Sequence, residues 1–338
     1  MPMSDEVYRH QVNLERLKAQ LVREYAQYFP ELREYIKQRF AELDADNMAE
    51  LTRAQSRELI SDIRNEQRTL MAAEREELEQ SLEMLSGNEA VWEGELIRMK
   101  PADAARAWQQ ARLRPIQATG QLLLPMIKEE LGPKQTIRVE REIAVSIAQG
   151  RSLSETVKSI NGLKKNNYKD GILGRELRDA DAIIRTATQH TSQQGRHATW
   201  VANDIERWKF SATLDGKTSV KCRALDRQTF PVGEGPEPPL HIRCRSTTIA
   251  DIPDPGGTRS SIDGPVSNTT SYYDWLKTQP EKFQDKTIGP ARGKLLRDGG
   301  LTSDEFAKLQ LDKRFDPMTL EEMAAEKPYA FSKAGLDY

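Results

Sequence analysis

Apolar residues recur at three- and four-residue steps through the first hundred positions of a chain otherwise dense in charge. This period confines that region to amphipathic helices. One stripe runs through Leu14, Leu17, Leu21, Tyr25 and Tyr28, and the next through Leu32, Ile36, Phe40 and Leu43. Pro30 lies between them and predicts a break, because proline removes a helical N–H. Asp44-Ala45-Asp46-Asn47 reads as a turn, and a further stripe follows through Leu59, Ile63, Leu70, Leu78, Leu82 and Leu85. It is expected to stop at Ser86-Gly87-Asn88. Residues 1–100 therefore predict an elongated helical hairpin or arm. Its narrow stripes with Glu/Arg flanks bury little alone, so the face is expected to dock on a partner.

With 37% hydrophobic and 30% charged residues, surface-rich helical arms are favoured over one large core. The formal net charge of -2 points to no particular partner, but its distribution is uneven. Residues 1–100 carry 14 basic against 21 acidic side chains, whereas residues 134–249 carry 20 against 13. A basic middle between acidic ends can meet nucleic acid or pair with its own flanks, and the scatter of the basic residues favours the second. The first ten residues, MPMSDEVYRH, show no basic segment leading into an apolar run. Apolar runs such as Leu122-Leu123-Leu124 are short. A soluble, non-secreted protein without a membrane contact is expected.

Residues 101–250 read as helices followed by a small α+β unit. Residues 102–131 are helical with breaks at Pro115 and Pro125, and Ile137 to Gln149 forms a helix closed by Gly150. Ser152 or Ser154 caps the next, with Glu155 in its first turn. A polar loop spans 161–174, and a long helix runs from Arg175 to about Thr199. The period then changes. Trp208, Phe210, Ala212 and Leu214 alternate with polar residues, as in a half-buried strand. Asp215-Gly216 is a turn, Thr218 caps a short helix, and Ser246 to Ile249 is a second strand. Residues 251–271 read as a linker and 272–338 as a tail of short helices, with Thr302 and Thr319 as caps. The fold expected is mainly α with a small α+β module, its short antiparallel strands lying near 207–250.

Cys222, His241 and Cys244 gather the only two cysteines and one of four histidines. Three soft donors are the material of a structural zinc site. On one extended strand His241 and Cys244 would face opposite ways, so joint ligation needs a turn between them. A Cys222–Cys244 disulfide and simple core packing are the other readings. A thiol nucleophile would need His241, His190 or His197 as its base, and nothing local marks an activated cysteine. His190 and His197, seven apart on one predicted helix, read as solvated or core side chains. No phosphate-cradling glycine loop is present. No catalytic residue and no certain cofactor is assigned.

Two runs carry a resemblance. One is Trp208, Ala212-Thr213-Leu214-Asp215-Gly216-Lys217-Thr218-Ser219, Cys222 and Leu225-Asp226, and the other is Pro238-Pro239, His241 and Cys244-Arg245-Ser246. With the tail elements Tyr273, Trp275-Leu276, Gln279-Pro280 and Gly289-Pro290-Ala291-Arg292, they resemble the phage Mu F-like minor head protein family over about residues 100–325. The resemblance implies a structural head protein of a tailed phage or prophage, inside the virion near the portal and in the host cytoplasm during assembly. Its implied partners are the portal, the major capsid or other head proteins, and non-specific DNA. It marks Trp208, Asp215, Thr218, Asp226, Pro239 and Arg245 as structural motif residues. The other readings are a virion-borne metal-dependent nuclease or transferase, using His241 with Asp215 or Asp226, and an assembly-only scaffold factor.

Overall fold

The computed structural model describes residues 2–254 and 256–338. Met1 and Pro255, which fall in the expected arm and linker, lie outside the described residues. The fold is mainly α with a small α+β part, as the sequence predicts. Helices α1 (Met3–Tyr25) and α2 (Tyr28–Ala41) fold back along α3 (Arg53–Ile97). The break comes at residues 26–27, and Pro30 sits in the first turn of α2, where its missing N–H costs nothing. A capping box between Thr52 and Gln55 opens α3.

The stop expected at Ser86-Gly87-Asn88 does not occur, because α3 continues to Ile97. Tertiary packing overrides the glycine here. A Cβ at Gly87 would lie 3.0 Å from that of Ala104, and one at Gly195 only 2.4 Å from the Ser86 carbonyl. The helices can cross this closely only with these two side chains absent. Beyond Gly87, α3 also buries Glu89, Ala90, Glu93 and Ile97.

Next come α4 (Ala104–Leu113), α5 (Leu123–Glu130), α6 (Pro133–Gln149) and α7 (Leu153–Asn161). Helix α4 ends just before Pro115, since the residue preceding a proline avoids helical dihedrals. Pro125 breaks nothing: it lies in the first turn of α5. Gly150 closes α6 at φ 61°, and Ser152 with Glu155 forms the capping box of α7. Helix α8 (Ile172–Ala202) is the axis, packed on α1, α3, α4 and α5. The apolar stripes of α1–α3 meet these helices of the same chain: one core runs from Leu14 to Ala187. The face expected to await a partner protein is thus largely covered from within.

The α+β part is a three-stranded antiparallel sheet in the order β2-β1-β3, formed by β1 (Arg207–Ser211), β2 (Thr229–Pro231) and β3 (Thr247–Ala250). In the central strand Trp208 faces Phe230 and Ala250. Helix α9 (Val220–Leu225) lies between β1 and β2 in sequence; its cap is Ser219 and not Thr218. Where composition predicts a linker, β4 (Thr258–Ser261) and β5 (Gly264–Ser267) pair as a hairpin. The hairpin and its approach hold α1. Asp254 accepts from the Met3 and Ser4 N–H groups, and Asp5 from the Thr258 N–H. The tail comprises α10 (Tyr272–Lys277), α11 (Glu281–Ile288), α12 (Pro290–Asp298), α13 (Ser303–Lys308), α14 (Leu320–Glu326) and α15 (Pro328–Lys333). Thr302 and Thr319 cap α13 and α14 as expected. Tyr272, Trp275, Leu276, Phe306 and Phe331 of the tail join Trp200, Trp208 and Phe210 in a second core.

From Thr186 to Trp200 every residue of α8 is buried, although most are polar. Each turn finds partners. Gln189 donates to the Ser246 carbonyl, Gln193 to Thr247 and Gln194 to Glu237. His190 donates through Nε2 to the Ala111 carbonyl at 2.9 Å. Burial lowers the His190 pKa from 6.5 to about 4, a fall that this hydrogen bond only partly opposes.

Above pH 6.5 His190 is neutral in both the folded and the unfolded chain. Below it the unfolded chain takes up a proton that the native imidazole refuses, so stability is lost as pH falls from 6.5 to about 4. Burial instead raises Glu176, whose contribution has the opposite slope, so the His190 effect is isolated by comparison with a variant. His190→Gln, which keeps an amide donor, should lose less stability than the parent between pH 7 and 4. The difference should reach about 3 kcal/mol in urea unfolding at each pH, since every tenfold loss of proton affinity is worth ~1.4 kcal/mol.

Candidate functional site

The residues singled out in the sequence converge where α9, β1 and the return toward β3 meet. Pro238 and Pro239 are buried and joined by a cis peptide. After them the chain makes the turn that joint ligation requires. The Cys244 N–H donates to the His241 carbonyl at 3.1 Å, and Arg243 takes a left-handed φ of 61°. Helix α8 fixes the turn from below: Thr186 Oγ1 accepts from the Arg243 N–H at 3.0 Å. The Arg243 guanidinium reaches the Arg178 carbonyl and Asp181.

The turn brings His241 and Cys244 onto one side, facing Cys222 of α9. Cys222 Sγ lies 3.5 Å from His241 Nε2 and 3.7 Å from Cys244 Sγ. The three donor atoms fall within 4.8 Å of one another. Both cysteines are buried and free, and their separation is far beyond the ~2.05 Å of a disulfide. The thiol of Cys222 shares its proton with Cys244, which pushes Cys222 up and holds Cys244 well below the ordinary thiol range. His241 adds to the second effect and is itself raised by Cys244. Its Nδ1 donates to the Ile242 carbonyl at 3.0 Å, which leaves Nε2 as the free lone pair facing the sulfurs.

The motif carboxylates are not part of this cluster. Asp215 Oδ1 accepts from Lys217 N, Thr218 N and Thr218 Oγ1, and Oδ2 accepts from Arg245 at 2.6 Å. Burial raises the Asp215 pKa, but the Arg245 guanidinium and the Lys217 and Thr218 donors outweigh it and hold the carboxyl below its usual range. The Thr218 hydroxyl shares its one proton between Asp215 and the nearer Thr213 carbonyl at 2.6 Å, so it braces the β1–α9 connection and does not cap the helix. Asp226 receives Ala212 N, Tyr272 N and both Nη atoms of Arg259, in a pair whose side chains are 1% exposed. Trp208 is fully buried and donates from Nε1 to the Pro231 carbonyl. His190 and His197 are buried away from the thiols; His197 meets Thr248 and Glu237.

Two of these placements were beyond sequence reading. Arg259 lies in a Thr-Arg-Ser-Ser stretch with no local signal, 33 residues from its partner. Glu93, on the segment of α3 beyond the expected stop, joins Arg196.

Residues 137–249 match the model of the family described as phage Mu protein F like protein. The chain carries a phage Mu F-like segment. It runs from α6 through β3, so all six motif residues and the three donor atoms lie within it. The resemblance over about residues 100–325 is wider than this match. No curated protein and no solved structure matches the chain. Among the described residues, no helix is long and apolar enough to cross a membrane.

The Asp226–Arg259 pair ties the Mu F-like segment to the hairpin that follows it. Arg259→Ala should destabilise the protein by about 3–5 kcal/mol, because Asp226 is left buried and unpaired. Arg259→Met with Asp226→Leu should lose clearly less than Arg259→Ala, as read from denaturant midpoints.

Proposed function

We propose that the chain is a structural minor head protein of a tailed phage or prophage, which acts in head morphogenesis beside the portal and is retained in the virion. The Mu F-like segment is the main support, since a phage head protein is what its family suggests. One geometric observation favours a structural role over catalysis. Asp215 and Asp226, the carboxylates a metal-dependent nuclease or transferase would need, are saturated by Arg245, Arg259 and backbone N–H groups. Metal-assisted hydrolysis needs a free group to orient or deprotonate water. Neither carboxylate is available for that role.

The partner reading rests on charge. Arg138, Arg141, Arg175 and Arg178 line a cleft of about 500 Å³ between α6 and the start of α8. Arg138 is neutralised by Asp179, while Arg141 and Arg175 have no ion-pair partner among the described residues. Such a cleft suits phosphate contacts that ignore base sequence and weaken with salt.

Purified protein should co-sediment with its cognate portal, and mass spectrometry should find it in finished heads. Absence from heads would make it an assembly-only scaffold factor, and absence from both would refute the reading. Duplex DNA should bind without sequence preference. In Arg141→Glu/Arg175→Glu the slope of log K against log salt should fall by about 0.9 for each lost phosphate contact.

A further inference from the structure

We propose that Cys222, His241 and Cys244 form a zinc site that clips α9 to the turn before β3. The donor spacing carries the inference. Zinc held tetrahedrally at about 2.3 Å from sulfur and about 2.0–2.1 Å from nitrogen sets its ligands roughly 3.8 Å apart for two sulfurs and about 3.6 Å apart for sulfur and nitrogen. The observed separations are 3.7 Å and 3.5 Å. Thiol hydrogen bonds fall in the same range, so the convergence of all three donor atoms within 4.8 Å of one another, and not either distance alone, is what fits a single ion.

The surroundings agree. His241 donates its second ring nitrogen to the Ile242 carbonyl, the outer contact that fixes the tautomer and orientation of a metal-bound histidine. The left-handed Arg243 and its bond to Thr186 aim His241 and Cys244 at the same point. Two thiolates and an imidazole are a donor set that selects zinc over magnesium or calcium. The two thiols lose their protons to solvent on binding, so the site's affinity rises with pH. His241 is half-buried and Ile242 exposed, so solvent can reach the cluster and supply a fourth ligand as water. The nearby carboxylates Asp215 and Asp226 are tied to arginines and lie outside the donor cluster, so this water has no base from them. The metal's role is cross-linking: it joins segments that the sequence separates by about twenty residues, and its binding energy becomes folding energy. This inference stands apart from the head-protein reading and survives that reading's failure.

The full-length protein, purified without chelator or metal-affinity tag, should contain about one zinc per chain by plasma mass spectrometry. Cobalt(II) added after chelation should give the thiolate charge-transfer band in the near ultraviolet. Cys222→Ser and, on the half-exposed side, His241→Gln should each weaken zinc binding by at least the ~10–100-fold that even outer contacts are worth, measured by competition with a chromogenic chelator. Should Cys222→Ser fail to fold, His241→Gln and the cobalt spectrum still decide the matter. Protein without zinc or a cobalt–thiolate band, and with a melting temperature indifferent to chelator, overturns the site. Full zinc content in both variants overturns it equally, since the metal would then lie elsewhere.

Discussion

The ion pair between Glu93 and Arg196 is the contact through which the two halves of the molecule are held in register. Arg196 Nε donates to Glu93 at 2.7 Å, with side chains only 2% and 0% exposed. A bare pair of this kind would not repay the loss of hydration. Here the remaining polar atoms are also used. Arg196 gives its two Nη groups to Thr247 Oγ1 and the Thr248 carbonyl, and the second oxygen of Glu93 accepts from Trp200 Nε1 at 2.6 Å. One guanidinium therefore fixes the rotation of α8, its distance from α3 and the position of β3. Removing either charge would strand the other, at a cost of about 3–5 kcal/mol. Most of the buried polar belt from Thr186 to Trp200 is bonded in the same way, the Thr191 and Ser192 hydroxyls excepted, and it specifies a single alignment that an apolar helix face would leave loose.

That belt also explains what the sequence conceals. Helices with apolar stripes at regular steps were legible, and so were the Gly150 stop, the Ser152 cap and the start of β1 at the change of period. The polar run Thr-Gln-His-Thr-Ser-Gln-Gln-Gly-Arg-His within α8 carries no sign of burial, because its partners come from α3, α4, α1 and β3. Gly87 reads as a helix stop by propensity, yet its value lies in the close approach of Ala104, a contact invisible along the chain. The hairpin of β4 and β5 was hidden for a similar reason. Its strands are short and polar, and they are positioned by Arg259 reaching Asp226 and by Asp5 reaching Thr258.

At the candidate site the sequence named the donors but not the geometry. Cys222, His241 and Cys244 stand out by rarity alone. The turn that unites them depends on a left-handed Arg243, a conformation arginine seldom adopts, and on Thr186, 57 residues away. Arg245 and Asp215, which pair in the fold, are both among the motif residues, whereas Asp226 pairs with Arg259, which lies in a stretch whose composition signals only loop.

The Mu F-like segment is not energetically separate from its flanks. Several of its buried polar groups are satisfied from outside residues 137–249, among them Arg196 by Glu93, Asp226 by Arg259, the Asp215 carbonyl by Tyr272, and Ser211 by Tyr8. Cutting the chain at the segment boundaries would leave at least two charges without their partners, in addition to the lost apolar contacts of the flanking helices. The acidic first hundred residues and the aromatic tail are thus parts of the same folding unit, although neither lies within the family match. Substitutions in either flank act first on the stability of the segment, and only through it on whatever the segment binds.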